Sequence, residues 1–155
     1  MKRLRKMLIG TGIAFVILVG VILVLNSRSQ PAAIGVTDGK LAACPQSPNC
    51  VSTQTDQSEK QMESLKFTGS VDQTREKIKA ILKSMLRTRL VTQSNNYLHY
   101  EVRSLLMRYV DDVEFLIDPE KKQIDFRSAS RIGYSDLGAN RTRMETITRK
   151  FQESF

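Results

Sequence analysis

The densest polar chemistry in the chain lies in Arg127-Ser-Ala-Ser-Arg131-Ile-Gly-Tyr-Ser-Asp136-Leu-Gly-Ala-Asn-Arg141, where a strand is expected to run through a glycine-containing loop into the last helix. Such a junction aims the unsatisfied N–H groups of the first helical turn at the loop, which suits it to hold an anion. Ser128, Ser130, Arg131, Tyr134, Asp136, Asn140 and Arg141 are the side chains it gathers. Arg141 and Arg143 oppose a helix dipole that favours negative charge there by roughly 0.3–1 kcal/mol, so something negative has to compensate them. Asp136, as N-cap or ion-pair partner, is the internal candidate, and a bound anion is the functional one.

A second polar set comes from strands. Strict alternation puts Glu101, Arg103, Asp112, Glu114, Asp125 and Arg127 on one exposed sheet face as a lattice of alternating sign. Its structural reading is a solvated network. Its functional reading is that Arg103, Arg108 and Arg127 grip a carboxylate or phosphate, because guanidinium forks make paired hydrogen bonds to both. Asp111 and Asp112 are neighbours on a strand and point to opposite faces, so they cannot serve as a paired acid and base. His99, the one histidine, is expected to be a solvated strand residue. The chain has no G-x-S-x-G, no H-E-x-x-H, no P-loop ending and no three-glycine nucleotide fingerprint, and no cofactor or metal is expected.

The elements that must position these groups are legible in part. Lys66 to Gly69 reads as a short strand, and Ser70 with Gln73 three residues on reads as a helix start. Val71, Ile78, Ile81, Leu82, Met85 and Leu86 then recur at helical spacing and predict a core-facing stripe. A hairpin centred on Asn95-Asn96 sets Val91 opposite Tyr100. A second hairpin sets Asp118 opposite Gln123, Ile117 opposite Ile124, Phe115 opposite Phe126 and Glu114 opposite Arg127, a register that opposes apolar residues on one face and forms an opposite-charge pair on the other. The last helix, about Gly138 to Glu153, buries Met144, Ile147 and Phe151. The fold class is α+β: an antiparallel sheet of about five strands, in the order strand, helix, four strands, helix, with both helices on one face.

Before this domain, Leu8 to Leu25 is an uncharged apolar run, a helix of about 27 Å against a hydrocarbon core of roughly 30 Å. Basic residues dominate the start at 1–7, so the run is read as a signal anchor of the cytoplasmic membrane, single pass, N-terminus inside, with the rest in the periplasm or outside the cell. The alternative is a signal peptide cleaved near Pro31-Ala-Ala33, leaving a secreted domain. Residues 26–40 read as a flexible linker, Val51 to Ser64 as an extended surface connection, and 41–155 as one exported domain. The formal charge of +8 falls to +3 once Lys2, Arg3, Arg5, Lys6 and Arg28 are set aside, which argues against a nucleic-acid partner. Cys44 and Cys50, six residues apart across two prolines, are most simply a disulfide in an oxidising compartment; a redox pair or a zinc site has less to support it.

Leu41 to Ser52, Tyr109 to Phe115 and Arg127 to Arg141 together resemble the family catalogued as domain of unknown function 1499, a likeness that spans about Leu41 to Phe155. The family's motif residues fall on Cys44, Pro48, Asn49, Cys50, Arg103, Asp111, Asp112, Glu114, Arg127, Ser128, Ser130, Arg131, Gly133, Tyr134, Asp136 and Arg141. The resemblance implies an exported or membrane-associated bacterial or plastid protein and supplies no settled activity. Three functions follow as expectations. The first is a membrane-anchored, non-catalytic binding or accessory module for an anionic small molecule, lipid headgroup or envelope partner. The second is an enzyme using Asp111, Asp112, Glu114 or Tyr134 in a cleft, and the third a purely structural envelope component.

Overall fold

A computed structural model describes residues 2–31 and 33–153. Met1, Ala32, Ser154 and Phe155 lie outside the described residues, and with them the first residue of the expected basic start, the middle of Pro31-Ala-Ala33 and the end of the expected domain. The chain begins with α1 (Lys2–Ser27), whose stretch Ile9–Ser27 has a mean hydropathy of 2.5 and is long and apolar enough to cross a membrane. There follow β1 (Val36–Thr37), β2 (Lys40–Leu41), β3 (Cys50–Ser52), β4 (Leu65–Lys66), α2 (Val71–Ser84), β5 (Thr88–Gln93), β6 (Tyr97–Arg103), β7 (Val110–Asp118), β8 (Gln123–Ser130) and α3 (Ala139–Glu153). From β4 onward this is the expected α+β order. The antiparallel sheet has six strands rather than about five, because β3 and β4 both add to β8 outside the β8-β7-β6-β5 meander.

Helix α2 starts where its sequence says it should. The Ser70 hydroxyl accepts from the Gln73 N–H at 3.2 Å, and the Gln73 side-chain oxygen accepts from the Ser70 N–H at 3.0 Å, a reciprocal capping box. Gly69, at φ +83°, suits a backbone region that residues with a Cβ rarely adopt, and a Cβ there would push the Gln73 oxygen, 2.6 Å away, out of the capping box. Fourteen residues make a helix too short to persist alone, so its apolar stripe must be buried. Ile78 and Leu82 meet Met144, Ile147 and Phe151 of α3 and Leu98, Phe115, Ile117, Ile124 and Phe126 of the sheet in one core. Leu86 departs from the predicted stripe and is 77% exposed. The helix ends at Ser84, Met85 is already extended and Arg87 turns at φ 60°, so helical spacing no longer governs where Leu86 points.

The second hairpin holds the predicted register throughout, including Phe115 opposite Phe126 and Glu114 opposite Arg127. The first follows it from the Ser94–Tyr97 turn as far as Thr92 opposite His99 and then slips. Leu90, not Val91, faces Tyr100, because a bulge leaves Val91 unpaired.

The polar sheet face, predicted to be exposed, is buried. The stretch read as a linker and the one read as a surface connection both lie on it. Asp38 (φ 51°) and Gly39 (φ 73°) form the turn of a β1–β2 hairpin over β7 and β8, and β3 pairs with the β8 edge through Cys50–Ser52. The Cys44–Cys50 disulfide is formed and packs on Ala129. Lys60, also within the expected surface stretch, is buried with its ammonium donating to the carbonyls of Pro45 and Gln46 and to Gln57 Oε1, three acceptors for its three N–H groups.

Candidate functional site

Antiparallel pairing sets Glu101 of β6 directly against Asp112 of β7, two carboxylates on one buried face. Such a pair is tolerable only with a cation between them, and Arg131, just past β8, supplies it. Its guanidinium donates to Asp112 from Nε (2.8 Å) and Nη2 (2.7 Å) and to Glu101 Oε1 from Nη2 (2.8 Å). Its remaining fork reaches Ser29 O at 2.6 Å, which ties the N-terminal segment down. Glu101 Oε2 accepts from Arg89 at 2.8 Å and Arg103 at 3.1 Å, and Arg103 also donates to Ser27 O. Burial pushes both carboxyls up, but their partners outweigh it: Asp112 is held below its ordinary value by Arg131 and then His99, and Glu101 by Arg89 and then Arg131.

His99 corrects the expectation of a solvated residue, for it is 1% exposed. Its Nε2 lies 2.7 Å from Asp112 Oδ1, and a charged carboxylate there makes Nε2 the protonated nitrogen by inference from the network. Nδ1 is buried without a hydrogen-bond partner. His99, Glu101, Arg89, Arg103 and Arg131 line a cavity of about 370 Å³, closed over by residues 27–31 and Ile34. A smaller cavity of about 230 Å³ adjoins Asp112, Arg127 and Arg131. Larger concavities of about 670 and 660 Å³ lie beside β4 and between α3 and the β6–β7 loop; the second meets this network only at Arg103.

On the rest of the polar face the carboxylates are satisfied internally, while Arg127 Nε is buried without a hydrogen-bond partner. Glu114 accepts from Arg127 (2.9 Å), the Tyr97 hydroxyl (2.7 Å) and the Gly35 N–H (2.6 Å). Burial and then this hydrogen bond to Glu114 push the Tyr97 hydroxyl far above its ordinary value. Asp125 accepts from Thr53, Gln54, Ser64 and Gln123.

The residues predicted to form one loop site are divided by the sheet. Arg127 and Arg131 lie on the polar face. Ser128, Ser130 and Asn140 lie on the helix side, where Asn140 Oδ1 accepts from Ser128 and Arg143 at 2.6 Å each, and Asn140 Nδ2 donates to Asn49 O at 3.0 Å. Arg143 pairs there with Asp111. Asp136 accepts from the N–H groups of Gly138 (3.1 Å) and Asn140 (2.7 Å), so it meets the free donors at the start of α3. Arg141 reaches Glu59 O at 2.8 Å, while Tyr134 is 78% exposed and Arg108 is an exposed loop residue at φ 57°. Only Arg103 and Arg131 of the predicted set meet in the His99 cavity. Among the described residues, no group of three or more His, Cys, Asp or Glu side chains is placed to hold a metal.

Sequence reasoning missed His99 and Arg89. The available signal was positional: alternation already put His99 beside Glu101 and Arg103, and Asp38-Gly39 marked a turn inside the supposed linker.

Fold and site together define an α+β domain with a buried, arginine-rich polar sheet face, roofed by its own N-terminal segment and preceded by an apolar helix. The chain belongs to the family described as "Protein of unknown function (DUF1499)", whose profile matches residues 40–151. No curated protein and no solved structure matches the chain. The sheet side of the cavity thus falls within the family match and its roof before it.

Proposed function

We propose that the protein is a single-pass, membrane-anchored envelope protein, N-terminus inside, whose exported domain is a non-catalytic binding module for a small anionic ligand. The observation that carries this reading is the cavity that His99 lines together with four arginines, Arg28, Arg89, Arg103 and Arg131, and one glutamate, with the buried His99 Nδ1 left without a hydrogen-bond partner. A buried polar atom without a partner is costly unless something visits it. With Nε2 directed at Asp112, Nδ1 is the ring nitrogen left for a ligand. It suits a ligand hydroxyl or a monoprotonated phosphate, while Arg103 and Arg89 meet the anionic oxygens. The roof begins at the last residue of α1, which sets the cavity near the membrane surface where phosphate headgroups lie.

A thermal-shift titration of the full chain in detergent, against inorganic phosphate, phosphorylated headgroups and small carboxylates, tests it. A ligand at 100 times its Kd stabilises by about 2.7 kcal/mol. The gain should be lost in Arg103→Gln and Arg89→Gln, which leave Arg131 in place. No shift across the panel would favour a purely structural envelope component.

A catalytic reading draws on the same pair. Of the carboxylates first weighed, Asp111 and Glu114 are paired with Arg143 and Arg127, and Asp112 is the one bonded to an imidazole that lines a cavity. A carboxylate that orients an imidazole whose other nitrogen is left unpartnered, on a residue that lines a cavity, resembles the arrangement of a general base. Conversion, rather than mere retention, of a bound phosphate ester by the wild type, lost in His99→Gln, would support it.

A further inference from the structure

One end of the domain carries large apolar side chains that the core does not use. Leu86, Leu105 and Leu137 line a shared groove, and Tyr109 and Ile132 line the adjoining one. At the tips, Leu106 is 79% and Leu137 95% exposed. These loops also hold three non-glycine residues at positive φ, Arg87 (60°), Arg108 (57°) and Leu137 (55°). A bulky residue kept in that region with its side chain in water is a strained arrangement, and such strain concentrates where a surface has a task.

The same end touches α1. Asn26 Nδ2 donates to Met107 O at 2.8 Å, and Arg103 Nη1 donates to Ser27 O at 3.1 Å, so the β6–β7 tip lies level with the last turn of the apolar helix. Between Ile9 and Leu25, only Val19, Ile22 and Leu23 are less than fully exposed, and Asn26 is buried. That is one helical stripe at i, i+3, i+4 and i+7, and it runs about 10 Å from the Met107 contact toward the middle of the helix.

We propose that the β6–β7 and β8–α3 loops dip into the outer leaflet of the membrane that α1 spans, with Leu105, Leu106, Ile132, Tyr134 and Leu137 in the interface and Arg87 and Arg108 against lipid phosphates. The occupant is a lipid surface for two reasons. Chain connectivity holds the patch at the level of the bilayer, and its exposed charges are basic: the one acid in these loops, Asp136, is occupied by the N–H groups of α3. Apolar side chains mixed with arginine and tyrosine are the composition of interfacial anchors. The inference rests on α1 being a retained anchor and is independent of what the His99 cavity binds. It would fix the orientation of the domain and keep the cavity roof against the headgroups.

The chain contains no tryptophan, so Leu106→Trp and Leu137→Trp each introduce a single fluorophore at an exposed position that should tolerate it. Each full-length variant is reconstituted in phosphatidylcholine–phosphatidylglycerol vesicles, with Glu120→Trp in the turn at the opposite end of β7 as the control. Expected are flotation with the vesicles, emission at shorter wavelength than the control, and about twofold or stronger quenching by lipids brominated high on the acyl chain, the depth of roughly 5–10 Å that interfacial groups occupy. Flotation without lipid quenching overturns the inference while leaving the anchor intact. A blue shift without lipid quenching also overturns it and points to a second copy covering the patch. Absence from the floated fraction overturns both the anchor and the inference.

Discussion

Replacing Arg131 with leucine should be among the most damaging changes available outside the apolar core. The substitution removes the cation shared by Asp112 and Glu101, opposed carboxylates on a buried face, leaving Asp112 with His99 and Glu101 with Arg89 and Arg103, and cuts the hydrogen bond that holds Ser29. Removing one partner of a buried ionic cluster costs about 3–5 kcal/mol, because the remaining charges lose compensation without regaining water. For a domain of this size, each kcal/mol moves Tm by roughly 4 °C, so a fall of about 12–20 °C is expected at pH 7. The pH dependence carries a sign. In the wild type, Asp112 and Glu101 have depressed folded values, so their stabilisation is present above the ordinary carboxylate range of about 4 and is lost as pH falls through those depressed values. In Arg131→Leu, Glu101 keeps Arg89 and Arg103 while Asp112 keeps only His99, so burial weighs chiefly on Asp112; the penalty is greatest at neutral pH and shrinks as pH falls toward about 4, where a neutral carboxyl accepts burial. Near-UV circular dichroism melts of both proteins from neutral to mildly acidic pH measure this. A loss under about 1 kcal/mol at pH 7, or a penalty that does not shrink on acidification, would refute the view that Arg131 neutralises a buried pair.

Other outcomes follow from single contacts. Ser70→Ala removes half of the capping box on α2 and should cost about 1 kcal/mol in urea unfolding with an unchanged m-value. Reducing Cys44–Cys50, or replacing both by serine, should cost about 2 kcal/mol by loop-closure entropy, and should speed amide exchange at Ser130, whose N–H donates to Asn49 O beside the bridge.

How much of this was legible in the sequence depended on what each pattern can encode. The β7–β8 register was readable because apolar pairs on one face and an ion pair on the other admit a single alignment. The β5–β6 hairpin was readable only up to Val91, since alternation carries no mark for a residue left out of the ladder. Alternation also assigned His99, Glu101, Asp112 and Glu114 to one face correctly but could not say what covers it. The cover has no period and few apolar residues, and it binds largely through backbone groups that any residue possesses: the carbonyls of Ser27 and Ser29 and the N–H of Gly35. That is why a roof read as a linker. The loop from Arg127 to Arg141 read as one site because neighbours in sequence were taken as neighbours in space, whereas successive strand residues pass to opposite faces of the sheet.

The central claim, that the His99 cavity receives an anion, has a direct spectroscopic test because His99 is the one histidine. Imidazole nitrogen and Cε1–H resonances of the full chain in micelles are followed during titration with inorganic phosphate and a phosphomonoester. The account predicts an Nε2–H tautomer without ligand, then a saturable shift centred on Nδ1, weakened at least about tenfold in Arg103→Gln, the cost of one charge-assisted hydrogen bond. Imidazole resonances that stay unchanged while the anions rise to tens of millimolar would contradict it.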